Sequence, residues 1–427
     1  MTGVQTCALP ICFPVTIAQE RNLEGYVITL QFPSLLPILT YAENRELRKE
    51  LAIANGKKSF DGGEFDNQNL IKELVKLRQE KAQLLGYKSF ADYVLEERMA
   101  KSPQKVLEFL NELLTKAKPF AEKDVEELSV LAKADGITEM QSYDHTYYAE
   151  KLRKQKFDFN DEELKPYFQL DKVQEAVFGL AGKLFGLEFV ETSDIQKYHA
   201  DVKTYEVLEV GSQKSEDGSF KALLYADYHP RKGKRAGAWM TSFKNQYIKN
   251  GENHRPHISV VCNFTKPTAE TPSLLTFNEV TTLSHEFGHA LHGILANTQY
   301  PNLSGTSVKW DFVELPSQFL ENYCYEPEFL KTFAKHYQTD EVLPDEKIQK
   351  ISDSKNFMEG YQTLRQLGFG ILDMTYHTKV GELENWSVKE FEDNTTKKTQ
   401  LYPTNPETAM STSFSHIFQG GYSGGLS

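Results

Sequence analysis

The string Ser284–His292, SHEFGHALH, constrains this chain more than any other, because it sets two histidines and an acid in H-E-x-x-H register within a stretch of helical period. At about 100° per residue, Val280, Leu283, Phe287, Leu291 and Ile294 fall within about an 80° arc, an apolar stripe that must face a core. His285 and His289 then sit about 40° apart and roughly 160° from the stripe's centre, on a polar face with Asn278, Thr282 and His292. One turn, about 5–6 Å, separates the imidazoles, which lets both reach one cation at about 2.0–2.1 Å. Glu286 projects about 100° round from His285, outside ligand range but within reach of a water at such a site. That is the position of a general base.

A catalytic zinc takes three protein ligands and keeps a further position open. In GTSVKWDFVELPSQ, Glu314 follows His289 by 25 residues, room for a turn and a second helix returning antiparallel to the first. That helix starts just before Pro316 or kinks at it. Glu314, Gln318 and Glu321 then share a face; taken alone, any one of them reads as a solvated helix residue. Asp311, Glu321 and Asn278 are candidates for hydrogen bonds that orient the imidazoles. Near the C-terminus, FSHIFQGGY offers the His416 imidazole and the Tyr422 phenol beside a glycine pair, donors suited to an oxyanion. The implied chemistry is amide hydrolysis: a positive centre polarises the carbonyl, and Glu286 carries a proton from water to the departing amine.

Around this constellation the chain reads as mainly α. From Asp66 the pattern is helical, with Leu70, Leu74, Leu77 and Leu84 on one stripe, Asp66 or Asn67 as cap and Gly86 as stop. Helices are also expected over about 102–134 and 173–185, so that 66–190 is helical. Between 204 and 264, TYEVLEV, FKALLYADYH, AGAWMTSF and HISVVCNF are rich in β-branched and aromatic residues and separated by SEDG, PRKGKR and NGENHRP, a small antiparallel sheet. Helices resume over 273–427, from Leu274 to Leu295, near Asp311 to Tyr325, and from Asp353 to about His377.

Several function classes are excluded. With 48 Lys+Arg against 60 Asp+Glu the net charge is −12, which repels nucleic acid and anionic membrane. No apolar run is long enough to span a bilayer, since the longest candidate is broken by Gln31, Pro33 and Pro37. Cys7, Cys12, Cys262 and Cys324 are too scattered for a disulfide framework, which fits a reducing compartment. No glycine-rich phosphate loop follows a strand.

HEFGHALH, GTSVKWDFVELPSQ and FSHIFQGGY closely resemble the zinc metallopeptidase family that includes thimet oligopeptidase, neurolysin, oligopeptidase A and the bacterial peptidyl-dipeptidases. LTYAENRELRKEL, LLGYKSFADYVLEERMA, PRKGKRAGAWMTSF and RPHISVVCNFTKPT look most like the peptidyl-dipeptidase branch. The resemblance implies a neurolysin-like helical ellipsoid with a deep channel and the small sheet beside the zinc. It implies one Zn2+ per chain on His285, His289 and Glu314, with Glu286 as base. It makes His416 and Tyr422 binders of substrate and oxyanion, and gives Gly305, Thr306 and an edge strand near Ala238 contact with an extended peptide. The implied substrates are short peptides losing C-terminal dipeptides; internal cleavage is the rival reading. A cytoplasmic monomer is expected. Residues 1–11 read as a non-native, adapter-like tail and 12–427 as a catalytic domain incomplete at both ends, because relatives begin with a further helical region and continue past GGY with an AGYYSYLW-like segment. That incompleteness supports a third reading, a zinc- and peptide-binding fragment without turnover.

Overall fold

A computed structural model describes residues 24–25, 27–157, 161–211, 219–419 and 423–424. The expected tail over 1–11 lies outside them. The chain packs as two compact units, Phe157–Lys355 and Met1–Lys156 with Asn356–Ser427. Both are rich in helix and, among the described residues, only the first holds a sheet, so the chain is mainly α as expected.

In the Phe157–Lys355 unit the strands are β1 (Leu187–Glu191), β2 (Lys203–Glu209), β3 (Phe220–Asp227), β4 (Trp239–Lys244), β5 (Tyr247–Lys249), β6 (Glu252–His254) and β7 (His257–Val261). One sheet runs β1-β2-β3-β7-β4, and β5 and β6 form a separate hairpin. All four expected segments become strands, but the sheet is mixed: β3 and β7 pair in parallel, and the other neighbours are antiparallel. The cause is topological. After β3 the chain forms the edge strand β4 first and then returns through the β5–β6 hairpin, so β7 slots between β3 and β4 and runs antiparallel to β4. β1 lies where helix was expected to reach 190. The helix Leu170–Phe185 ends at Gly186, whose φ of 66° turns the chain directly into it.

The helix Phe277–Ile294 packs on β4 and β7. Asp227, 1% exposed at the end of β3, receives both Arg231 guanidinium nitrogens at 2.7 and 2.8 Å and Lys234 Nζ at 2.8 Å. These bonds pin the loop that leads into β4.

In the other unit the helix Pro103–Ala134, capped by Ser102, packs along Glu359–Thr378. The buried face of Gln68–Leu84 is Ile71, Val75 and Ala82. This corrects the expected leucine stripe: Leu70, Leu77 and Leu84 are exposed and only Leu74 is partly buried, because the neighbouring core of Leu372, Tyr376 and Phe391 takes the adjacent face. Two later helices are shorter than expected. Asp311–Glu314 is turn, followed by helix Leu315–Glu321 and a 3-10 turn Asn322–Tyr325. The helix expected from Asp353 begins at Glu359, after Met358 at φ 57°.

Candidate metal centre

The helix Phe277–Ile294 starts in a capping box, with Glu279 N donating to Thr276 Oγ1 and Thr276 N to Glu279 Oε2. Val280, Leu283, Phe287, Leu291 and Ile294 are all buried, as their spacing requires, and the Phe287 ring lies 5.5 Å from those of Phe178 and Phe189. With that face locked, His285 and His289 leave on the other side as neighbours, ring centroids 4.9 Å apart and planes at 87°.

Glu314 occupies the N-cap position of Leu315–Glu321. Its Oε2 lies 3.2 Å from His285 Nε2 and 3.1 Å from His289 Nε2. The fully buried Ser317 hydroxyl reaches the same Oε2 at 3.0 Å and the Glu314 carbonyl at 2.9 Å. At the far end of that helix, Glu321 Oε1 accepts from His285 Nδ1 at 2.6 Å. A carboxylate can only accept, so His285 carries a proton on Nδ1 and turns toward Glu314 its Nε2, the atom on which a metal ion would take the place of a second proton.

The electrostatics follow from this packing. Burial opposes a charge on His285, but the hydrogen bonds to Glu314 and Glu321, with the charge of Glu286, outweigh it and raise the imidazole to about 10. Burial pushes the Glu286 carboxyl up, against the lowering pull of His285 and His289. A carboxyl raised in this way is a stronger base than a solvated one, as a group that must take a proton from water requires.

The donor set fits a zinc ion. One atom each from His285, His289 and Glu314 lies within 4.8 Å of the others, a two-imidazole, one-carboxylate cluster of the kind that leaves a zinc position open. Glu286 is outside that cluster, 7% exposed on the adjoining helix face.

The other expected residues are distributed as follows. Asn278 is exposed in the first turn of its helix, and among the described residues it is not bonded to either imidazole; its carbonyl accepts from Thr281 and Thr282. Asp311 is half-buried in the turn before Glu314. Gly305, at φ 58°, rests against Gly293, where an added Cβ would meet Gly293 Cα at 2.9 Å, and Thr306 follows it. Ala238 immediately precedes β4, which is an edge strand of the sheet as expected. His416 is exposed in the other unit, stacked on Phe414, and Tyr422 lies outside the described residues. Sequence reasoning passed over Ser317 and Gly288. His289 Nδ1 is buried without a hydrogen-bond partner among the described residues.

The model of Peptidase family M3 matches residues 38–425, nearly the whole chain. The chain belongs to this family, whose members are zinc metalloenzymes. It is 38% identical to oligopeptidase A of Escherichia coli K12 over 415 residues, 96% of this chain and 60% of that one. It is 40% identical to a probable cytosolic oligopeptidase A of Arabidopsis thaliana over 410 residues, 94% of this chain and 57% of that one. Dipeptidyl carboxypeptidase of Escherichia coli K12 is 36% identical over 419 residues, 97% and 60% respectively. The chain thus spans about 60% of the length of such relatives. Among the described residues no helix is long and apolar enough to cross a membrane.

Proposed function

We propose that this chain carries the catalytic centre of a zinc-dependent hydrolase of short peptides. The convergence of His285, His289 and Glu314 within 4.8 Å, beside the buried Glu286, carries the reading. A zinc ion held there would supply the positive charge that polarises a peptide carbonyl and acidifies water. The chain's own residues do the rest. His285 and His289 present Nε2, Glu321 fixes the His285 tautomer, and Ser317 holds the Glu314 carboxylate. Glu286 accepts a proton from the attacking water and gives it to the leaving amine. β4 offers an edge that an extended peptide can join as an added strand, and Ala238, Gly305 and Thr306 are assigned to the substrate side. His416 and Tyr422 are assigned to substrate and oxyanion, and Asp311 to the ligand-bearing turn.

Release of C-terminal dipeptides is the cleavage mode favoured by the peptidyl-dipeptidase-like stretches. Internal cleavage is the second reading, favoured by 38% identity to an oligopeptidase A beside 36% to a dipeptidyl carboxypeptidase. Peptides with free and amidated C-termini separate the two: dipeptide release requires the free carboxylate, and equal rates would reject it. Glu286→Gln tests the base and excludes binding without turnover. Hydrolysis is expected to fall by about two to four orders of magnitude, and undiminished turnover would overturn the assignment. The cytoplasm is the proposed location, in keeping with the name of the Arabidopsis relative.

A further inference from the structure

Glycine inside a helix costs about 1 kcal/mol relative to alanine, so a glycine in the middle of the Phe277–Ile294 helix calls for a physical reason. Its neighbourhood supplies one. A Cβ on Gly288 would stand 2.6 Å from Ser317 Cα, 2.9 Å from Pro316 O and 3.1 Å from Ser317 N. All three are backbone atoms, which cannot swing aside as the tip of a flexible side chain would. The contact therefore sets how near the second helix comes to the first. It falls in the first turn of Leu315–Glu321, within three residues of Glu314 in sequence, and Gly288 is flanked by the helix positions that carry His285, Glu286 and His289.

The residue met by Gly288 has a second task. Ser317 is 0% exposed, and its hydroxyl touches both the carbonyl and Oε2 of Glu314. That Oε2 is the oxygen facing both imidazole Nε2 atoms. Close backbone approach brings the turn in, and the hydroxyl aims the carboxylate.

We propose that Gly288 and Ser317 form a positioning pair that sets where the Glu314 carboxylate stands relative to His285 and His289, and so sets the affinity of the site for zinc. Neither residue supplies a ligand atom; both act through Glu314. The inference rests on the metal-site reading above and deepens it. It predicts that the interval between the two helices is specified by a missing side chain. Not every helical glycine is so placed: a Cβ on Gly179, in Leu170–Phe185, would meet nothing within 4 Å, whereas Gly360, far along the chain from the metal cluster, makes a similar approach to the backbone of Phe120 and Ala121.

The test is a zinc dissociation constant, measured by competition with a chromophoric chelator on metal-free protein, beside the circular dichroism spectrum and melting temperature of that metal-free protein. Gly288→Ala and Ser317→Ala are each expected to weaken zinc binding by about 10- to 100-fold while the helical spectrum is kept. Gly179→Ala should leave the affinity unchanged. A purely structural role would lower the melting temperature and leave the affinity of the folded protein where it was. Should Gly288→Ala fail to fold, Ser317→Ala carries the test, because it removes one hydroxyl and adds no atom. Affinity within about twofold of wild type in a folded variant overturns the proposal. Wild-type protein that takes up no zinc would overturn the metal-site reading itself, a distinguishable result.

Discussion

Replacing Glu321 by Gln probes the arrangement at its most exposed point. The carboxylate accepts from His285 Nδ1 at 2.6 Å, a short bond between an imidazole and a charged acceptor, with the two side chains 24% and 36% exposed. Hydrogen bonds with an ionised partner are about twice as strong as neutral ones, and a carboxylate behind a ligating imidazole raises its basicity. Gln keeps the size and an acceptor oxygen but loses the charge. Such outer partners are worth about 10- to 100-fold in metal affinity, or about 1.4–2.7 kcal/mol. Zinc competition titrations of the metal-free protein at neutral pH should therefore show a dissociation constant raised by that factor. Glu321→Asp, shorter by one methylene, should also weaken binding, because its charge no longer reaches Nδ1. An unchanged or tighter dissociation constant in Glu321→Gln would refute the argument that this bond fixes the imidazole for the ion.

Other consequences lie in the folding energetics. His145 is buried, stacked on Tyr361 at 3.7 Å and bonded to the Tyr402 hydroxyl at 2.8 Å; burial, with the charge of Arg365, lowers it to about 4. Because the folded value lies below the unfolded one of about 6.5, the neutral ring's stabilisation is full above pH 6.5 and is lost as pH falls toward 4, about 2 kcal/mol by pH 5. Denaturant midpoints at neutral pH and near pH 5 should converge less in the wild type than in His145→Gln, and parallel shifts would contradict this. For Asp227, burial alone would raise the carboxyl, but Arg231, Lys234 and Tyr198 outweigh it and hold it at about 2. Asp227→Asn should cost about 3 kcal/mol by leaving Lys234 buried beside a neutral group, measurable as a lower melting temperature. Val75→Ala should cost about 2 kcal/mol and Leu84→Ser less than about 0.5, since Val75 is fully buried and Leu84 is 88% exposed; the reverse order would restore the leucine stripe.

What the sequence reveals depends on how local the physics is. The metal helix was legible because its core face and polar face follow from one period, and all five stripe residues are buried. Glu321 carried a signal too, seven residues after Glu314 and thus on the same side of one short helix. In Gln68–Leu84 two apolar faces compete, and only the neighbouring helices decide in favour of Ile71 and Val75. The parallel β3–β7 pair was hidden because pairing order is set by the chain's path between strands, not by any strand's own composition. Ser317 reads as an ordinary residue of a helix start and Gly288 as a weak point in a helix. Their significance appears only when two helices meet.

The central claim is that His285, His289 and Glu314 hold one zinc ion. X-ray absorption at the zinc edge on the purified, zinc-loaded chain tests it directly. The account predicts one zinc per chain with nitrogen and oxygen neighbours at about 2.0–2.2 Å, two of them imidazole, and loss of one light-atom neighbour in Glu314→Ala. A sulfur neighbour at about 2.3 Å, which would implicate a cysteine, or a spectrum indifferent to Glu314→Ala, would contradict it.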